Sequence, residues 1–148
     1  MHGAMKTGMS FLILGLLLIM QSCGFVYERH LTGNYYLIAV DTGEDMDVCY
    51  HQPDDDAPYT GITGAGVYAV GYDDDFILVK AYRALRDSMG IPVPRYDRHT
   101  TEYYIIPVDN TQEAWEAQEN KFGAFGKEDF EVKRKELGVP DDITFREL

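Results

Sequence analysis

Cysteine is scarce in this chain. There are two in 148 residues, Cys23 and Cys49, too few for a disulfide framework or an all-cysteine zinc site. Basic residues are also short: 13 Lys and Arg stand against 25 Asp and Glu, a net charge of −12. Such a chain repels phosphates. That excludes nucleic acid as a partner and is expected to keep the domain off anionic headgroups except through a covalent lipid. Acidity alone usually serves solubility; its sharper reading is a protein partner with a basic surface. Long hydrophobic runs are missing too. The apolar run Phe11–Met20 is about half of the ~20 residues that a membrane-spanning helix needs. No segment repeats and none is of low complexity.

What that short run does supply is a secretory signal. Lys6 precedes it and Gln21-Ser22-Cys23 follows: a positive start, an apolar core and a small residue at the cut. A Cys directly after the small residue resembles the lipobox of bacterial lipoproteins. That resemblance implies cleavage before Cys23 and a diacylglyceryl group on its sulfur. Residues 1–22 are then a signal peptide, residues 23–33 the lipidated Cys with a short tether, and residues 34–148 a single mixed α+β domain. The signal holds one base and no acid, so the exported chain of 126 residues carries a charge of −13. Its expected place is the cell envelope, lipid-anchored to a bacterial membrane. With Cys23 acylated, Cys49 has no partner for an internal disulfide, so the core must hold by apolar burial.

Periodicity then places the elements. Asn34–Val40 is rich in aromatic and β-branched residues and reads as a strand. Asp41–Asp45 is a turn and residues 46–51 a return strand; Cys49 falls there as a small strand residue rather than a nucleophile. Gln52–Pro58, with two prolines and three aspartates, is a loop. Gly66–Tyr72 and Phe76–Tyr82 form a hairpin with Asp73-Asp74-Asp75 as its tip. Arg83–Met89 has the composition of a helical turn, and Pro92 and Pro94 argue against regular structure after it. Glu102–Val108 is another strand, with Pro107 at its exit. Asn110 with Glu113 has the spacing of a capping box before Ala114 and Trp115. Lys127–Leu137 is a clearer helix. Its acids come early and its bases late, as the helix dipole prefers, and Gly138 and Pro140 stop it. Phe130 and Leu137 mark its buried stripe, with Leu137 expected to matter most. Ile143–Arg146 adds a short final strand. The expected fold is α+β: an antiparallel sheet of about four to six strands, with one or two C-terminal helices packed on it.

Four of these segments together carry a resemblance. Val-Gly-Tyr-Asp over 70–73, Phe-Ile-Leu-Val-Lys over 76–80, Tyr-Tyr-Ile-Ile over 103–106 and Phe-x-x-Lys-Arg-Lys-Glu-Leu-Gly over 130–138 resemble a family of small bacterial lipoproteins, domain of unknown function 3997. The likeness runs over roughly residues 34–140, with Thr111–Gly123 as extra length. It implies an exported, lipidated, mostly β domain, and it brings no catalytic residue or cofactor.

The residues themselves nominate little chemistry. His30, His51 and His99 show no H-E-x-x-H or comparable ligand spacing. His51 and Asp47 share a strand face, as surface polar residues do. Gly61–Gly66 holds three glycines but lacks the Lys-Ser/Thr ending of a phosphate loop. Asp73, Asp74 and Asp75 lack the alternate acids, central Gly and distal Glu of a calcium loop, and read as a solvated turn. No catalytic residue, metal or cofactor is assigned. Eleven tyrosines are the other excess. Tyr35/Tyr36, Tyr68/Tyr72 and Tyr103/Tyr104 fall on strands, where Tyr is favoured for packing alone. A row of them also suits a sugar or peptide, because the ring stacks and the hydroxyl hydrogen-bonds. Two function classes follow. The first is a non-enzymatic envelope lipoprotein that binds a protein through its acidic surface, as inhibitor and immunity proteins do. The second is a binder of small ligands or carbohydrates through strand tyrosines. A hydrolase ranks third.

Overall fold

A computed structural model describes residues 24–54 and 59–148. Cys23 and the signal segment lie outside the described residues. Four strands make the first sheet: β1 (Tyr27–Thr32), β2 (Tyr35–Ala39), β3 (Asp47–His51) and β4 (Tyr59–Gly61), side by side in that order. Five make the second: β5 (Val67–Tyr72), β6 (Phe76–Arg86), β7 (Pro92–Pro107), β8 (Phe122–Phe125) and β9 (Arg146–Glu147), in the order β8-β7-β6-β5-β9. All pairings are antiparallel. Two helices, α1 (Ala114–Glu119) and α2 (Lys127–Glu136), complete an α+β fold. The expected single sheet is thus two. Among the described residues no helix is long and apolar enough to cross a membrane.

Alternation along β6 explains the layering. Ile77, Val79 and Ala81 join Leu37, Val48 and Tyr50 in a core between the sheets. Leu78, on the opposite face, joins Ile105, Phe130, Val139 and Ile143 in a second core under α2. A strand covered on both faces reads as a continuous apolar run, and Phe-Ile-Leu-Val is that run. Lys80 interrupts it at no great cost, because its ammonium lies 4.4 Å from the centre of the Phe145 ring.

Four expectations need correction. The tether ends early: Tyr27–Thr32 is β1, paired to β2 from Tyr27↔Ala39 to Thr32↔Tyr35. Its inward residues include Arg29, which masks the alternation in the sequence. The β1–β2 turn is held from afar. Asn110 Oδ1 accepts from the Asn34 N–H at 2.8 Å, and a Cβ on Gly33, at φ +52°, would stand 2.1 Å from the same oxygen. Asn110 is therefore a clamp and not a helix cap; the Glu113 N–H is capped by Glu116 at 2.7 Å. On α2, Phe130 is fully buried, whereas Leu137 at the helix end is only partly so.

The largest correction concerns residues 83–100. They are neither helical nor irregular. β6 and β7 run on past the other strands as a two-stranded arm, with Ala84 opposite Tyr96 and Arg86 opposite Pro92. Pro92 and Pro94 fit because this half of β7 has a neighbour on one side; β8 pairs only near Tyr103–Ile105. The Asp87 carboxylate ties the arm's tip by accepting from the N–H groups of Met89 and Ile91 at 2.9 Å. At the arm's base the register jumps from Tyr82↔Thr101 to Arg83↔Asp97, which leaves Arg98-His99-Thr100 as a bulge. Asp97 stabilises the bulge. It accepts from the Thr100 hydroxyl at 2.6 Å and the His99 N–H at 2.9 Å, and these bonds hold its carboxyl below the usual range.

Candidate functional site: a tyrosine-lined cleft

The tyrosines divide by environment. Tyr35, Tyr50 and Tyr104 point into the core, and packing accounts for them. Their hydroxyls are satisfied there: Tyr50 donates to the Gln112 carbonyl at 2.9 Å, and Tyr35 accepts from the Gln112 amide at 2.7 Å. Burial pushes the Tyr35 hydroxyl up to about 12, so it stays protonated.

A second group lies on the outer face of the first sheet. Tyr36 and Tyr59 are 5.4 Å apart, and His30, His51 and Phe25 pack around them. His51 therefore joins an aromatic patch and does not work with Asp47. The Asp47 carboxylate instead accepts from the Thr63 hydroxyl at 2.8 Å and its N–H at 3.1 Å. Between them Cys49 is buried. Burial, then the charge of Asp47, pushes its thiol up to about 12, which leaves it neutral and inert at pH 7. The face holds a shallow apolar hollow beside Phe25 and Val40, with few polar groups to orient a ligand.

The third group builds a concave site. Tyr68 on β5 and Tyr82 on β6 stack at 4.2 Å with their planes 17° apart, and the Tyr68 hydroxyl meets that of Thr101 at 2.8 Å. Tyr27 and Tyr96 complete the aromatic lining of a cleft of about 270 Å³, floored by Met46 and Val67. Arg98, lifted by the bulge, lies 5.7 Å from the centre of the Tyr82 ring and is ion-paired with Glu44. Gly66 admits Tyr96: at φ +100°, a Cβ there would stand 2.9 Å from the Tyr96 ring. Burial, then the nearby Asp45 and Glu44, raise the Tyr96 hydroxyl above its ordinary pKa, so it remains a donor. Strand reading singled out Tyr68. It missed Tyr82 and Tyr96, because the bulge and the arm bring them together.

The acidic tip holds no metal cluster. Asp73 Oδ1 accepts from the N–H groups of Asp75 and Phe76, both at 2.8 Å, which is a turn bond. Among the described residues no group of three or more His, Cys, Asp or Glu is placed to hold a metal ion.

Comparison with known proteins adds the family and nothing finer. No curated protein and no solved structure matches the chain. Residues 32–148 match the family model described as "Protein of unknown function (DUF3997)", and the chain belongs to that family.

Proposed function

We propose that this chain is a non-enzymatic lipoprotein of the cell envelope, held to a bacterial membrane through acylated Cys23, and that it binds a small ring-shaped ligand in the tyrosine cleft. The carrying observation is that the stacked Tyr68–Tyr82 pair, Tyr27, Tyr96 and the Arg98–Glu44 pair line one cavity. Aromatic faces take the apolar face of a sugar ring, and the charged pair takes its hydroxyls. The volume of about 270 Å³ falls just below the ~300 Å³ at which drug-sized pockets begin. One or two sugar rings fit; a long glycan would extend outside. The cleft lining has a single carboxylate side chain, Glu44, and it is ion-paired with Arg98; glycoside hydrolysis needs two carboxylates flanking the bond, which favours binding over hydrolysis.

Calorimetry with disaccharides of the cell-wall glycan tests the reading. Binding should persist at high salt and be lost in Tyr82→Ala. Equal binding by wild type and Tyr82→Ala would remove the cleft from consideration. Anchoring is tested apart, by labelling cells with a fatty acid: wild type should be marked and Cys23→Ala should not.

A second reading has its own support. Asp73, Asp74, Asp75 and Asp109 crowd the end of the molecule away from the cleft, Asp73 half-buried and the other three exposed, where a basic protein would dock. Its signature is a pull-down that salt abolishes.

A further inference from the structure

The charge of this chain is not spread evenly. Four of its seven arginines, Arg83, Arg86, Arg95 and Arg98, lie on the β6–β7 arm, against two acids there, Asp87 and Asp97. Arg83 and Arg98, at the arm's base, are paired with Glu102 and Glu44, which leaves Arg86 and Arg95 as its unpaired cations on a strongly acidic protein. Its end is also apolar. Leu85, Met89 and Ile91 are 42%, 78% and 53% exposed, around a turn that nothing covers. Arg86 and Arg95 have no ion pair among the described residues.

The position of the arm says what this combination meets. Tyr27, where β1 begins, lines the same cleft as Tyr96 and Arg98 at the arm's base. The chain therefore enters the fold, four residues after Cys23, at the end from which the arm projects. Val26 and Val40, beside the Tyr27↔Ala39 pair, and Leu148, which lines the cleft, are exposed at that end as well. Six of the nine large exposed apolar side chains among the described residues thus gather at one end. The Asp73–Asp75 tip, at the opposite end of β6, is turned away from it.

We infer that the β6–β7 arm docks on the surface of an anionic phospholipid bilayer. Leu85, Met89 and Ile91 enter the headgroup region and Arg86 and Arg95 pair with lipid phosphates. The placement of the membrane rests on the lipid-anchored reading above. The arm then sets the posture of the domain: its acidic end faces outward, and the headgroup repulsion expected of the whole charge is overcome locally.

The test uses residues 24–148, which lack Cys23 and contain the whole described core, Leu31 to Ile143. Sedimentation with vesicles of phosphatidylcholine, with and without phosphatidylglycerol, measures binding. The fragment should bind the phosphatidylglycerol vesicles at low salt and ignore the neutral ones. Arg86→Gln with Arg95→Gln should weaken that binding about 30-fold, at ~1 kcal/mol per arginine. Neither residue is in a core, so both variants should keep the wild-type circular dichroism. Met89→Trp in a Trp115→Phe background should be quenched by brominated lipid, whereas native Trp115, on α1, should not. Failure to bind anionic vesicles, or equal binding by the double variant, overturns the inference. Binding of an acidic protein with no response to vesicles also overturns it. None of these outcomes bears on Cys23, which fatty-acid labelling tests alone.

Discussion

At the hairpin tip, three aspartates that look alike in the sequence have different roles. Asp73 accepts two backbone N–H bonds that fix the turn; Asp74 accepts none in the described structure and is exposed. Asp73→Ala should cost about 1 kcal/mol, the usual worth of such bonds, and Asp74→Ala should cost nothing or stabilise slightly by relieving repulsion. Urea denaturation of the two variants decides it, and equal losses would contradict the assignment. Asp47 offers a pH test. Burial raises its carboxyl above the ordinary value, and the Thr63 bonds only partly oppose this. The folded state then binds that proton more tightly than the unfolded state does. Stability is full below the unfolded value, near ~4, and falls as pH rises through the folded one. Asp47→Asn keeps an oxygen for Thr63 and cannot ionise. Its denaturation midpoint relative to wild type should therefore be higher at pH 7 than at pH ~4. A difference independent of pH would mean that Asp47 titrates normally.

Helix α2 shows at the scale of an element why composition misleads about which residue holds it. Phe130 is fully buried, 4.9 Å from Tyr103 between ring centres; Leu137 caps the helix and keeps partial exposure. Phe130→Ala should cost about 3–5 kcal/mol and Leu137→Ala about 1–2 kcal/mol, in chemical denaturation of residues 24–148. The reverse order would detach the helix from the described packing. The sequence-based picture fares well wherever local pattern and tertiary role coincide. The hairpin over 66–82, the strand at 102–108 and the dipole-ordered helix at 127–137 all occur, and the final strand lies at Arg146–Glu147 rather than Ile143–Arg146. It fails where a distant element supplies the reason. β1 is paired and anchored through Asn110, some eighty residues later. Prolines are tolerated in β7 because half of that strand is an edge. The cleft was half legible: Tyr68 stands out on its strand, but Tyr82, Tyr96 and Arg98 converge only through the bulge, which Asp97 stabilises and no periodicity announces.

The charge that dominates the composition also acts on the molecule as a whole. A net charge of −12 opposes compaction through self-repulsion. Attraction within the fold offsets little of it. The described residues hold three ion pairs, Arg83–Glu102, Arg98–Glu44 and Lys133–Glu136. Each has at least one mainly solvated partner, and such pairs are worth about 0–1 kcal/mol apiece. Repulsion among acids clustered away from the arm should therefore outweigh them. Screening shortens the reach of both, to ~10 Å at 0.1 M salt, and removes more repulsion than attraction. Adding sodium chloride from low ionic strength to ~0.2 M should raise the thermal midpoint of residues 24–148. The same addition should weaken binding of the arm to anionic vesicles. Salt thus moves stability and docking in opposite directions, because the first depends on the acids of the whole body and the second on Arg86 and Arg95 at one end. A midpoint that falls with salt would show that the few ion pairs matter more than their exposure indicates, and the segregation of charge would then have to be argued from the arm alone.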